Sequence, residues 1–372
     1  MSGDGRSLTC ERLLVRDSPH NMDAFTIHCL SGYVSCLYLL ELPRLPGKPA
    51  LGTAPDNERS WVLLDAGTKS DVNRLVHFLR HQCKEPRPLD VAMPLIVSTH
   101  AHPDHIGGIA PLMRTHHVGV VAAAAKHEQY YKGLGRTHWW IDTYLLQLFA
   151  RMLKRRPLEL QICRSDIYKF RNSLMGRGSL GEPTSWVTSR YNGRLKGGEL
   201  KDLEKTGYVP LEDGSRLPML DQWVAIQVPG HTMHMVALYH EPSHILYAAD
   251  LIIGHKGEFR APIPVDNERA FEHTLERLKH LSVSFLLLAH GGMIDLRERP
   301  GGWTGVLDEV RAHLREKGGT RGVNITHKIV QWLSGTSPEI RKFNFDEASN
   351  RLTRHRLPRG DEPAAAIFAI RD

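Results

Sequence analysis

The sequence has no uncharged apolar run of roughly eighteen residues or more, so a membrane-spanning helix is not expected. Its first twenty residues hold Asp4, Glu11, Arg12, Arg16 and Asp17 without a continuous apolar stretch. Neither a secretory signal nor an acid-poor transit peptide is expected there, and a cytoplasmic location is read. Cysteine is sparse: Cys10, Cys29, Cys36, Cys83 and Cys163 are odd in number and scattered, with no Cys-x-x-Cys pair. That pattern suits reduced thiols rather than a disulfide framework. No internal repeat is visible, and basic and aromatic residues do not alternate as they do along a nucleic-acid groove. The formal charge of +7, gathered at Lys154-Arg155-Arg156 and between Arg164 and Lys205, is therefore read as a solvated surface. Neither a membrane nor a nucleic acid is the expected partner.

What the chain does have is 372 residues, 41% of them apolar, enough to bury a sizeable core in one large or two ordinary domains. It also has 22 histidines. Residues 25–30 and 34–42 read as a hairpin, 61–65 as a buried strand, 70–83 as a helix with one apolar face, and 94–98 as an apolar strand. A helix is expected over 106–117 and a strand over 118–124. Strand patterning resumes at 223–228, 235–240, 245–249 and 285–289, with an exposed helix at 267–281. Strands grouped with intervening helices argue for an α/β core of sheets covered by helices. The expected organisation is a catalytic domain over 1–310, carrying a helical, basic insertion at about 130–205, and a C-terminal extension over 311–372 packed on it.

The chemistry is concentrated in Thr99-His100-Ala101-His102-Pro103-Asp104-His105, which follows an apolar strand. In extended chain, residues two apart project to the same side, so His100 and His102 can hold one metal ion. Asp104 and His105 come next on a turning chain, where they can reach a second ion. Imidazole and carboxylate donors suit zinc, and also iron or manganese; the lack of cysteine donors disfavours a closed structural zinc site.

This run resembles the His-x-His-x-Asp-His signature of the metallo-β-lactamase superfamily. Pro229-Gly230-His231-Thr232, Ala249-Asp250 and Ala289-His290-Gly291 resemble its later motifs, each after an apolar strand and in the family's order. Asp65, in Leu64-Asp65-Ala66-Gly67, resembles its early strand-end aspartate, which usually stands behind the ligands. The resemblance runs from about Phe25 to Gly292 and leaves the 130–205 block and the tail uncovered. It implies an αββα sandwich, two mixed β-sheets flanked by helices, with the site at one sheet edge. It further implies two divalent ions, most simply Zn2+: His100, His102 and His231 on the first, Asp104, His105 and His290 on the second, and Asp250 between them. His234, near His231, competes for the third-histidine role less well. His240, His244 and His255 are read as surface residues or as residues standing behind the ligands.

An aspartate at 250 differs from the cysteine of many true β-lactamases, and His102 stands where the di-iron flavoprotein branch usually has glutamate. The set resembles the glyoxalase-II-like, lactonase and RNase Z branches. The expected reaction is hydrolysis of a small carbonyl substrate (ester, lactone, amide or thioester), with Asp104 orienting the water and moving its proton. A phosphodiesterase and a mononuclear iron persulfide dioxygenase are the alternatives. No tyrosine follows Asp250 as in many acyl-homoserine lactonases; Leu251, Ile252 and Ile253 stand there. Tyr130, Tyr131, Trp139, Trp140 and Tyr144 suit a substrate lid, internal packing or a homodimer contact.

Overall fold

The computed structural model describes residues 10–16, 24–32, 35–43, 59–100, 102–124, 208–262, 265, 267–316 and 366–370. The expected insertion at 130–205 lies outside the described residues. Strand β1 (Cys10–Arg16), β2 (Phe25–Ser31), β3 (Cys36–Leu42), β4 (Ser60–Leu64), β5 (Leu95–Ser98), β6 (Val120–Ala124) and β7 (Tyr208–Leu211) lie side by side in that order, with β15 (Ala366–Ile370) beyond β1. Pairing in this first sheet is antiparallel from β15 to β4 and parallel from β4 to β7. The second sheet has the order β14 (Gly292–Asp295), β13 (Phe285–His290), β11 (Ile245–His255), β10 (Val236–His240), β9 (Leu220–Gln227) and β8 (Arg216–Leu217), with β12 (Glu258–Arg260) also on β11. Its β11–β13 pair is parallel and its other pairs antiparallel, so both sheets are mixed.

Strands β3, β4 and β5 of the first sheet read as near-continuous apolar runs because both of their faces are covered. Tyr38, Leu40, Val62, Leu64, Leu95 and Val97 turn inward and join one core with the second sheet. The alternate residues Leu37, Leu39, Trp61, Leu63 and Ile96 turn outward into another core. That outer face is capped by α1 (Lys69–His77), which continues as a π-helical turn over Phe78–Gln82, and by α2 (Leu89–Ala92). The short α3 (Pro103–Ile106) and α4 (Ile109–His116) follow β5. The second sheet's outer face carries α5 (Glu268–Leu278) and α6 (Gly302–Arg315) through Phe271, Leu275, Leu278, Trp303, Val306, Leu307 and Val310. The layers are therefore helix, sheet, sheet, helix. No helix among the described residues is long and apolar enough to cross a membrane.

Strands β1, β7, β8, β12, β14 and β15 and the short α2 were not among the expected elements, and some expected elements take a different form. The helix expected over 106–117 is broken into α3 and α4 at Gly107-Gly108, because the Gly108 N–H donates to Gly67 O at 3.1 Å and a Cβ at Gly108 would lie 2.2 Å from Ala66 O. Strand β11 runs on past residue 249 to His255, with a bulge that admits Asp250. Helix α5, read as exposed, buries Ala270, Phe271, Thr274, Leu275 and Leu278; its first turn is capped by the Asn267 side chain, which accepts from Ala270 N at 3.0 Å.

A buried carboxylate fastens the outer face. Glu85 accepts from Trp61 Nε1 at 2.8 Å and from Arg87 Nε and Nη2, each at 2.7 Å. Burial pushes its pKa up, but the bonds from Arg87 and Trp61 win and hold it below the ordinary glutamate value. A depressed folded-state pKa gives stability that is present above the unfolded value, about 4.3, and lost as pH falls through the folded one. Glu85→Gln should therefore lower stability by about 1–3 kcal/mol at pH 7. Urea midpoints of variant and wild type should converge near pH 3; an unchanged gap between them would remove Glu85 from the acid response.

Candidate metal centre

Every predicted site residue stands at or just beyond the end of a strand, except Asp250, which sits inside one. β5 ends at Ser98, and Thr99 is then anchored twice on Asp65, its N–H to Oδ1 at 2.8 Å and its hydroxyl to Oδ2 at 2.7 Å. This fixes the exit of the chain and sends His100 and His102 toward His231 and Asp250. Pro103 opens α3, whose turn presents Asp104 and His105. β9 leads through Val228-Pro229-Gly230 to His231, and β13 ends on His290. Within β11 the pairing register shifts on both sides of Ala249, which adopts a left-handed φ of 48°. Asp65 has a φ of 54°. Such strained positions persist where the surroundings over-determine them, and both lie against the site.

The structure brings all seven residues together. His102 Nδ1 lies 3.1 Å from His100 Nε2 and 3.0 Å from His231 Nε2. Asp250 Oδ2 stands 3.6 Å from His100 Nε2 and 3.4 Å from His231 Nε2, while its Oδ1 stands 3.2 Å from His105 Nε2 and 3.3 Å from His290 Nε2. Asp104 Oδ2 completes the second group, 3.5 Å from His290 Nε2 and 3.8 Å from His105 Nε2. Each group combines residues that follow strands of the first sheet with residues on or after strands of the second. His234 and His255 are half-buried and belong to neither group, and His244 is likewise outside both. His240 is not at the surface: it is buried between the rings of Phe25 and Trp223, each with its centroid 5.0 Å away.

Electrostatics divides the cluster. Burial, aided by neighbouring imidazoles, pushes His100 down to about 4 and His102 well below its ordinary value, so both rings are neutral donors. Burial also opposes protonation of His105 and His290, but Asp250 and Asp104, joined at His105 by Asp65, override it and raise both. Burial works against ionising Asp250 and Asp104, yet His105 and His290 hold both carboxyls below their ordinary range. The residues fit divalent cations. His105 Nε2 and Asp250 Oδ1 are buried, face each other and make no hydrogen bond. Buried polar atoms rarely go unpaired without a reason, and a cation between them supplies one.

The loop before His231 has no room for a side chain. Gly230 has a φ of +148°, and a Cβ there would come within 2.5 Å of Phe271 Cβ and 2.6 Å of its Cα, on α5. Gly230→Ala should cost about 2–4 kcal/mol and displace His231. Urea denaturation and bound-metal analysis of the purified variant test this together; wild-type values in both would show that the loop tolerates the methyl.

The sequence reading did not pick out Tyr247. Its hydroxyl donates to Asp65 Oδ2 at 2.6 Å. The available signal was a phenol in the apolar, buried stretch of a strand, three residues before Asp250, where a hydroxyl needs a partner.

The sequence model described as the metallo-beta-lactamase superfamily matches residues 56–290, more than half of the chain. The chain belongs to the metallo-beta-lactamase superfamily. It is 23% identical over 279 residues to a Bacillus subtilis (strain 168) protein described as "Probable metallo-hydrolase YflN", covering 71% of this chain and 83% of that one. Among solved structures it resembles the superfamily protein ST1585 from Sulfolobus tokodaii, with 15% identity, a TM-score of 0.42 and coverage of 82% and 94% of the two chains. A beta-lactamase domain protein from Burkholderia ambifaria gives 14% identity, a TM-score of 0.43 and coverage of 80% and 73%. As a metallo-beta-lactamase superfamily member, the chain is a metallo-hydrolase-type enzyme, and its two His/Asp groups are candidate divalent-metal sites.

Proposed function

We propose that this chain is a dinuclear metal-dependent hydrolase that cleaves a small carbonyl substrate: an ester, lactone, amide or thioester. The observation that carries the reading is the Asp250 carboxylate, whose two oxygens face two separate groups of imidazoles. His100, His102 and His231 would hold one ion, Asp104, His105 and His290 the other, and Asp250 would serve both. The all N/O donor set favours Zn2+, with iron or manganese as lesser candidates. Two such ions would lower the pKa of a shared water towards about 7, from about 15.7 in bulk, and polarise the substrate's carbonyl oxygen.

The remaining work falls to the chain's own residues. Asp104 is the role-bearing carboxylate: it lies at the edge of the second group and is 9% exposed, more than Asp250 at 5%. From there it can accept the proton of the attacking water and return it to the leaving oxygen, sulfur or nitrogen. His100 and His102, neutral by burial, keep their ring nitrogens available as donors. The Bacillus subtilis relative's description as a metallo-hydrolase supports hydrolysis. A small-molecule substrate and a cytoplasmic setting belong to the same reading.

Two measurements test it. Elemental analysis of the purified protein should find about two equivalents of zinc-like metal per chain. A panel of a lactone, a thioester and bis-p-nitrophenyl phosphate should give turnover on an acyl compound. A single iron with oxygen consumption, or turnover confined to the phosphodiester, would overturn it.

A further inference from the structure

We propose that Tyr247 is a positioning residue for the metal centre: its hydroxyl, acting through Asp65, fixes the orientation and tautomer of His105. The inference rests on the dinuclear reading above and adds to it a residue from the middle of β11. Asp65 lies at the end of β4 in the first sheet, and Tyr247 belongs to the second sheet. Facing a carboxylate, the phenol can only donate. Asp65 Oδ2 takes Tyr247 OH at 2.6 Å, Thr99 Oγ1 at 2.7 Å and His105 Nδ1 at 2.7 Å, while Oδ1 takes the Thr99 N–H at 2.8 Å. With three donors converging on Oδ2 and a fourth on Oδ1, turning the carboxylate would break several hydrogen bonds at once.

The consequence passes along His105. With Nδ1–H committed to Asp65, the opposite nitrogen, Nε2, is aimed at Asp250 Oδ1 and Asp104 Oδ2, 3.2 and 3.8 Å away. Thr99 extends the same logic to the other group. Its hydroxyl spends its hydrogen on Asp65 and can accept from His100 Nδ1–H at 3.1 Å, turning Nε2 of His100 toward Asp250. Thr99 and His105 both follow β5 in the first sheet, whereas Tyr247 ties Asp65 to the strand that carries Asp250. The tyrosine is itself well held: it is fully buried, and its ring lies 5.1 Å from that of Tyr38. Burial and the neighbouring Asp65 push the phenol's pKa well up, so it remains a donor at all working pH. A phenylalanine would fill the same space and supply no donor.

The test compares Tyr247→Phe with wild type and with Tyr38→Phe, using the full chain stripped by a chelator and titrated with Zn2+ and Co2+. Tyr38 is a matched control: it is also a buried phenol between the sheets, but it bonds to the Leu288 backbone, donating to O at 2.8 Å, rather than to Asp65. Tyr247→Phe should weaken the second equivalent about tenfold, the low end of the effect of disturbing the partners behind a metal-binding histidine, and the first, reached only through Thr99 and His100, by less. In the metal-free protein the Nδ1 proton of His105, followed by 15N-resolved NMR, should exchange with water faster in Tyr247→Phe than in either other protein. Wild-type affinity for both equivalents, or a loss of both in step with Tyr38→Phe, would overturn the proposal. If wild type takes up no second equivalent, the dinuclear reading falls, and the exchange rate still decides: an unchanged Nδ1 proton in Tyr247→Phe rejects the positioning role.

Discussion

If the centre is dinuclear as proposed, Asp250→Ala is expected to reduce bound metal from about two equivalents to below one and turnover by more than roughly a thousandfold. Asp250 is the carboxylate that approaches imidazoles of both groups, within 3.6 Å of His100, His231, His105 and His290 alike. Removing it leaves two raised histidines without their largest stabilising charge and two adjacent cation sites without the anion between them. The mutual repulsion of two dications near each other is then uncompensated in a buried setting. Elemental analysis and steady-state assays on the folded variant, with circular dichroism to verify the fold, measure this. Two retained equivalents would show that Asp250 does not serve both groups.

Asp104→Ala is the complementary result. It should lower kcat by about 10²–10⁴-fold, the range for losing a positioned acid or base, with KM changed far less. The first group, His100, His102 and His231 with Asp250, should keep its metal, because Asp104 stands outside it. Asp104→Asn should be nearly as slow, since an amide keeps the shape and cannot carry the proton. Full activity in either variant would remove Asp104 from the mechanism.

The parts of this site legible in the sequence are those whose signal is local. His100, His102, Asp104 and His105 fall within six residues after an apolar strand, so their convergence follows from strand and turn geometry. His231, Asp250 and His290 could be read only through resemblance, because no local rule brings the ends of β9 and β13 beside a bulge in β11. The bulge itself was unreadable, since it is set by pairing between β11 and β13 across the sheet. Gly108 shows the same limit: its sequence continues a helix, and only the close carbonyl of Ala66 breaks it. His240 was misread because exposure cannot be inferred from a lone polar residue at a strand end. Its partners, Phe25 and Trp223, come from both sheets.

Because each group takes members from both sheets, the spacing between the seven side chains measures how one sheet sits over the other. Residues that never approach the centre, such as Trp223, Tyr239 and Leu40 in the shared core, set that placement. Sliding the layers by even a fraction of an ångström would part His102 from His231 and Asp104 from His290. The hydrophobic interior thus acts as the jig in which the polar cluster is held to tolerance.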